Sequence, residues 1–217
     1  MPGSTKTISS SEFKRLVNKY LRPKLRECGW TGTGFHYKKM MSNHYIFLLG
    51  LYPGKYGGEI SVEVGMHLDF LKNHSDEYFD LEKIKSYSAD IRQWLLFNSQ
   101  NDYTLKFQSS PEKNIALVDL IWESYLENGK LFFNQFIDFP GPFRTINVSD
   151  LIYPDLNQNI NFRFIGTTVR FAWYLAQINE FVGHKETAKQ FALYALSEIT
   201  GPAGSSLIPQ LTRISQL

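Results

Sequence analysis

Residues 164–200 read FIGTTVRFAWYLAQINEFVGHKETAKQFALYALSEIT, and this stretch organises the rest of the chain. Ile165, Val169, Ala172, Trp173, Ala176, Phe181 and Val182 recur at helical spacing, mostly three or four apart. Phe171, Tyr174, Leu175 and Ile178 form a second apolar face. A helix apolar on two faces is buried between layers. A second helix follows, with Ala188, Phe191, Ala192, Ala195, Leu196 and Ile199 inward and Lys185, Glu186, Lys189 and Glu198 outward. Gly183 ends the first helix, as glycine does in the left-handed position past a helix terminus. The stretch predicts an antiparallel αα-hairpin with axes drawn close by its alanines. A single copy without repeats argues against a solenoid.

Working outward, the chain has 217 residues, an apolar fraction of 43% and 15% aromatics, enough for a sizeable core. The net charge of +2 points to neither nucleic acid nor membrane. The lone cysteine, Cys28, excludes an intramolecular disulfide and fits a reducing compartment. The first residues are small and polar, unlike a signal peptide, and no apolar run approaches a membrane span. These features lead us to expect a cytoplasmic protein.

Residues 1–8 are expected to be disordered, residues 9–155 to form an α+β domain and residues 156–217 a helical subdomain packed on it. Ser9 three residues before Glu12 is a capping box. The helix it opens carries Phe13, Leu16, Val17, Tyr20, Leu21 and Leu25, with a kink expected at Pro23 and an end at Gly29. Its lysines and arginines make it the most basic element. Three strands follow, at residues 34–40, 44–52 and 59–68. The last alternates strictly, with Ile60, Val62, Val64, Met66 and Leu68 inward and Glu59, Ser61, Glu63, Gly65 and His67 on a solvated face. Residues 90–96 (strand or helix) and 102–107 flank a turn at 98–101. Ser110-Pro111 opens another helix, ending at Asn128-Gly129. A short helix at 148–153, a polar connector at 155–161 and a final short helix through Leu207, Leu211 and Ile214 complete the chain. The fold class is therefore α+β: an antiparallel sheet of four or five strands flanked by helices, with a helical C-terminal αα-hairpin.

Several motifs are similar to those of an uncharacterised bacterial family, DUF4304 (a domain of unknown function). Leu21, Pro23, Leu25 and Gly29-Trp30 match the end of its opening helix; Val62, Val64 and Gly65 match a following strand. Ile91-Arg92 and Asp102-Tyr103 sit where that family carries an arginine-bearing and an acidic-aromatic strand, although its tryptophan pair is missing here. Residues 129–136 resemble a further motif without its proline. The resemblance covers most of residues 11–136 and implies an α+β fold with no assigned activity.

No catalytic constellation stands out: there is no HExxH, CxxC, GxSxG or P-loop ending. Cys28, at the wrong end of a helix for a thiolate, reads as a small hydrophobe. Gly32-x-Gly34 lies between helix and strand, the reverse of a phosphate-binding order. No cofactor is expected. His67 and Asp69 are the sole weak metal candidates, with a solvated strand end as the plainer reading. The expected function is a non-enzymatic protein-interaction or immunity-type module whose partner is another protein. Arg22, Trp30, Lys38, Tyr52 and Tyr56 are its candidate contacts, because aromatics and arginine dominate binding hot spots. One alternative is an enzyme using His67, Asp69 and Arg92 at a sheet edge. Another is a weak nucleic-acid binder using the first helix and the aromatics Phe35 and Tyr37 beside Lys38 and Lys39, a reading the near-neutral charge disfavours. Oligomeric state is left open.

Overall fold

The computed structural model describes residues 7–97, 102–153 and 160–217. The chain forms two compact units: unit 1 from residues up to 42, 46–67 and 85–134, and unit 2 from residues 43–45, 68–84 and 135–217. The helical unit thus starts at Gln135, not at the polar connector, and includes two short stretches from earlier in the chain. The first six residues of the expected disordered N-terminus, the turn at 98–101 and most of the connector lie outside the described residues.

Unit 1 opens with α1 (Ser10–Leu16), which runs through a π-turn (Val17–Leu21) into α2 (Arg22–Glu27). The capping box forms: the Glu12 carboxylate accepts the Ser9 N–H at 2.7 Å. The π-turn answers Pro23. A proline lacks an N–H, and its ring strikes the carbonyl four residues back. One wider turn, in which the Arg22 N–H donates to the Val17 carbonyl, relieves the clash. The strands are β1 (Thr31–Thr33), β2 (His36–Met40), β3 (Tyr45–Pro53), β4 (Glu59–Leu68), β5 (Ile91–Trp94) and β6 (Thr104–Lys106). They form one sheet in the order β1-β2-β3-β4-β5, with β6 also pairing β4. Residues 90–96 therefore contain a strand, and the sheet has six strands because the short β1, which the sequence did not signal, pairs with β2 at one edge.

Then α3 (Pro111–Ser124) passes through a second π-turn (Tyr125–Gly129) into α4 (Lys130–Asn134). The helix end expected at Gly129 does not occur. The position is tight, since a Cβ would sit 3.0 Å from the Tyr125 ring. The helices cover one sheet face. Phe13 stacks on Phe107 at 4.5 Å, and Phe47 of β3 on Phe133 at 4.4 Å. Trp30 joins this core: it is buried and its indole N–H donates to the Tyr125 hydroxyl at 2.9 Å. Its expected role as a surface contact is corrected, because both its ring and its donor are already used inside.

Unit 2 holds α5 (Val148–Ile152), α6 (Thr168–Phe181), α7 (Lys185–Glu198) and α8 (Ile208–Ser215). The α6–α7 hairpin is as expected. Phe171 through Asn179 are all buried, and Ala172, Ala176, Ala188, Ala192 and Ala195 are fully so. Gly183 (φ +82°) closes a Schellman motif: its N–H reaches the Glu180 carbonyl and that of His184 the Asn179 carbonyl. Among the described residues, no helix is long and apolar enough to cross a membrane.

The strict alternation in β4 suggested a solvated face. Instead every residue from Val62 to Leu68 is buried, His67 included. Burial pushes the His67 imidazole down to about 3, so it is neutral in the folded chain. An unfolded histidine gains its proton near pH 6.5. As pH falls below that value the unfolded chain binds a proton that the folded chain refuses, so this stabilisation is lost on acidification. Urea denaturation at pH 7.5, 6 and 5 should show unit 1 losing about 2 kcal/mol between pH 6.5 and 5 through this group. The His67→Leu variant should show a shallower decline; an identical decline would rule the assignment out.

Candidate functional site

Strand alternation places His36, Lys38, Gly50, Tyr52, Ser61, Glu63, Gly65, Arg92 and Trp94 on the sheet face opposite the helices. The register confirms it: His36 lies across from Gly50, Lys38 from Leu48, Glu63 from Trp94 and Gly65 from Arg92. Two glycines hollow this face. A Cβ on Gly50 would fall 2.1 Å from the Ser86 hydroxyl and 2.7 Å from that of Tyr52; one on Gly65 would fall 3.1 Å from the Ala89 methyl. The short 3-10 turn Ser86–Ser88 and its neighbours occupy that hollow.

Beneath this cover lies a charged pair. Glu63 is 3% exposed, and Arg92 Nη1 stands 3.3 Å from both of its carboxylate oxygens. Burial pushes the Glu63 carboxyl up from its usual range, against the opposing pull of Arg92 and of the Tyr52 and Ser86 hydroxyls. Those two hydroxyls are 2.5 Å apart. Burial also raises Tyr52, and it lowers His36, with Lys85 and Lys14 adding to the effect on the histidine. His36 Nδ1 and Arg92 Nε are buried with no hydrogen-bond partner among the described residues.

On this base stands a row of rings. Tyr87 meets His36 edge-on at 6.3 Å, His36 meets Tyr52 at 6.1 Å and Tyr52 meets Trp94 at 5.7 Å. Trp94 then stacks on Tyr103 at 6.4 Å. Tyr87 and Tyr103 are half exposed and Trp94 is partly so. Lys85 lies 5.8 Å over Tyr87, and Lys38 and Lys106 occupy the same face. Ser86 is the serine hydroxyl against the carboxylate, and it is sealed from solvent.

Of the sequence-predicted contacts, this face gathers Lys38 and Tyr52. Arg22 is on α2 and influences Tyr37, whose side chain points to the helix-covered face. Tyr56 is 93% exposed in the loop between β3 and β4, with Lys55 over its ring. Tyr37 is buried, so it cannot share a stacking face with Lys38, its neighbour in the strand. Asp69 belongs to unit 2, where its carboxylate takes the His44 Nδ1 at 3.1 Å; His44 (φ +70°) stands edge-on to Phe70, Phe139 and Phe181. His67 is thus buried and Asp69 is engaged by His44, and among the described residues no group of three or more His, Cys, Asp or Glu side chains is placed to hold a metal ion. His36, Tyr87, Trp94 and Tyr103 were missed. The one sequence signal for them is period two: His36 and Lys38 alternate with Phe35 and Tyr37.

No protein-family model, no curated protein and no solved structure matches the chain.

Arg92→Met should destabilise unit 1 at pH 7 by about 3 kcal/mol, because it strands a buried carboxylate. The deficit should shrink as pH falls and Glu63 takes up a proton. The double variant Glu63→Leu/Arg92→Met should recover most of the loss. Urea unfolding at pH 7 and pH 5 measures all three effects; an undiminished deficit in the double variant would contradict the pairing.

Proposed function

We propose that the protein is a non-enzymatic interaction module of the accessory or immunity type, related to DUF4304, that presents the aromatic row of unit 1 to another protein. The observation that carries this reading is the series Tyr87–His36–Tyr52–Trp94–Tyr103, whose rings Tyr87, Trp94 and Tyr103 are exposed while its middle stands on a buried ion pair. Rings already fixed by their neighbours lose little conformational freedom on binding, which is what hot-spot residues require. Lys85 lies over the Tyr87 end of the row, Lys106 sits across from Glu59 on the same face, and the Glu63 carboxylate beneath the row is matched by Arg92. The complementary partner surface offers apolar side chains to meet the rings and an acceptor for Lys85 at the Tyr87 end. A cytoplasmic setting suits the lone Cys28.

The same combination of rings and lysines is compatible with single-stranded nucleic acid, and the experiment separates the two. Tagged protein is exposed to source-cell lysate at moderate salt, with and without nuclease. The expected result is one stoichiometric protein partner, insensitive to nuclease. Its capture should fall about tenfold or more in Trp94→Ala/Tyr103→Ala and persist in Tyr56→Ala, which removes an exposed ring off this face. Equal capture by the double variant would overturn the reading. Trp94-dependent binding of a single-stranded oligonucleotide, with no protein partner, would reassign the row to nucleic acid.

A further inference from the structure

Unit 2 contains a pocket of about 320 Å³ between α6, α8 and the segment at residues 70–78. Its walls are assembled by buried amides. Gln210 accepts the Trp173 indole N–H at 2.9 Å and donates to the Asn73 carbonyl at 2.7 Å. Gln177 accepts the Lys72 backbone N–H at 2.9 Å. Asn73 in turn accepts the Ser75 and Glu77 N–H groups, and Asp76 turns through a φ of +62°. The loop is thus tied to the helices at two points and preorganised.

Two ion pairs line the opening. Lys72 Nζ lies 3.1 Å from the Asp76 carboxylate, and Arg213 makes a two-pronged contact with Glu180, Nη2 to Oε2 at 2.8 Å. The wall charges sum to zero. The apolar part is aromatic: Phe70 and Phe181 stack at 3.8 Å, Phe181 is partly exposed, and the exposed Tyr78 lies under Lys72. One group remains unmatched. Gln177 is 7% exposed, and because its oxygen is held by Lys72 its amide orientation is set; its Nε2 has no acceptor among the described residues. A buried donor without a partner is costly, and a ligand oxygen would satisfy it.

We infer that this pocket binds a free aromatic amino acid. Its carboxylate faces Arg213, Lys72 and the Gln177 Nε2, its ammonium faces Glu180 and Asp76, and its ring lies against Tyr78 and Phe181. Opposite charges on the two pairs select a zwitterion over a plain anion or cation, and the volume lies at the small end of ligand sites. The site is independent of the aromatic row in unit 1.

The test is isothermal titration of the full chain with L-phenylalanine, L-tyrosine and L-tryptophan. Saturable one-to-one binding with Kd below about 1 mM is expected for at least one of them. Phenylalanine amide, which lacks the carboxylate, and 3-phenylpropionate, which lacks the ammonium, should each bind at least about tenfold more weakly. Gln177→Glu keeps the acceptor for Lys72 but replaces the donor with a repelling oxygen, so it should lose about tenfold or more. Tyr78→Ala, at an exposed position, should weaken binding without unfolding. Trp94→Ala should leave it unchanged. Absence of saturable binding, equal binding of the two analogues, or an undiminished Kd in Gln177→Glu would overturn the inference.

Discussion

The sheet of unit 1 is covered on both faces, and the second cover depends on two missing side chains. At Gly50 and Gly65 the backbone of β3 and β4 lies bare, and the segment through Ser86 and Ala89 sits directly on it. Any β-carbon at Gly50 would collide with the Ser86 hydroxyl. Closing that face removes Glu63 from water, and a carboxylate removed from water needs a cation. Arg92, one strand across and two residues along from the position opposite Glu63, supplies it. Tyr52 and Ser86 complete the cluster, and the rings of His36, Tyr52 and Trp94 are packed as a consequence of it.

Unit 2 uses polar groups differently. Its buried glutamines, Gln177 and Gln210, bridge helix to loop through backbone groups that would otherwise go unpaired. A neutral amide can accept and donate at once and costs less to bury than a charge. The ionised side chains stay at the rim, where Lys72, Asp76, Glu180 and Arg213 are partly hydrated. His44 is the exception. It holds a left-handed backbone and packs edge-on to three phenylalanines while Asp69 engages its Nδ1.

Much of the fold was legible because local rules govern it. Helical spacing in residues 164–200, the capping box at Ser9 and the glycine at 183 each act over one turn, and all three appear where expected. Period-two alternation found β4 and separated its two rows of side chains. It could not say that the polar face was covered as well, because that depends on where residues 85–90 travel. His67 therefore reads as solvated in the sequence and is buried in the structure. Trp30 fails for the same reason: an indole next to a helix end looks available until Tyr125, ninety-five residues away, is found to accept its proton.

What the sequence determined by itself was the α+β class, the long strands β3 and β4, the opening helix and the hairpin, since hydrophobic periods and caps are set by near neighbours. What only the tertiary structure decided was which side chains meet. The pairs Glu63–Arg92, His44–Asp69, Tyr52–Trp94 and Gln177–Lys72 are separated by 25 to 105 residues, as the four contacts show. No local rule reaches that far. Chain folding brings these groups together, and burial then alters their chemistry by withdrawing water from charges and from hydrogen-bonding groups.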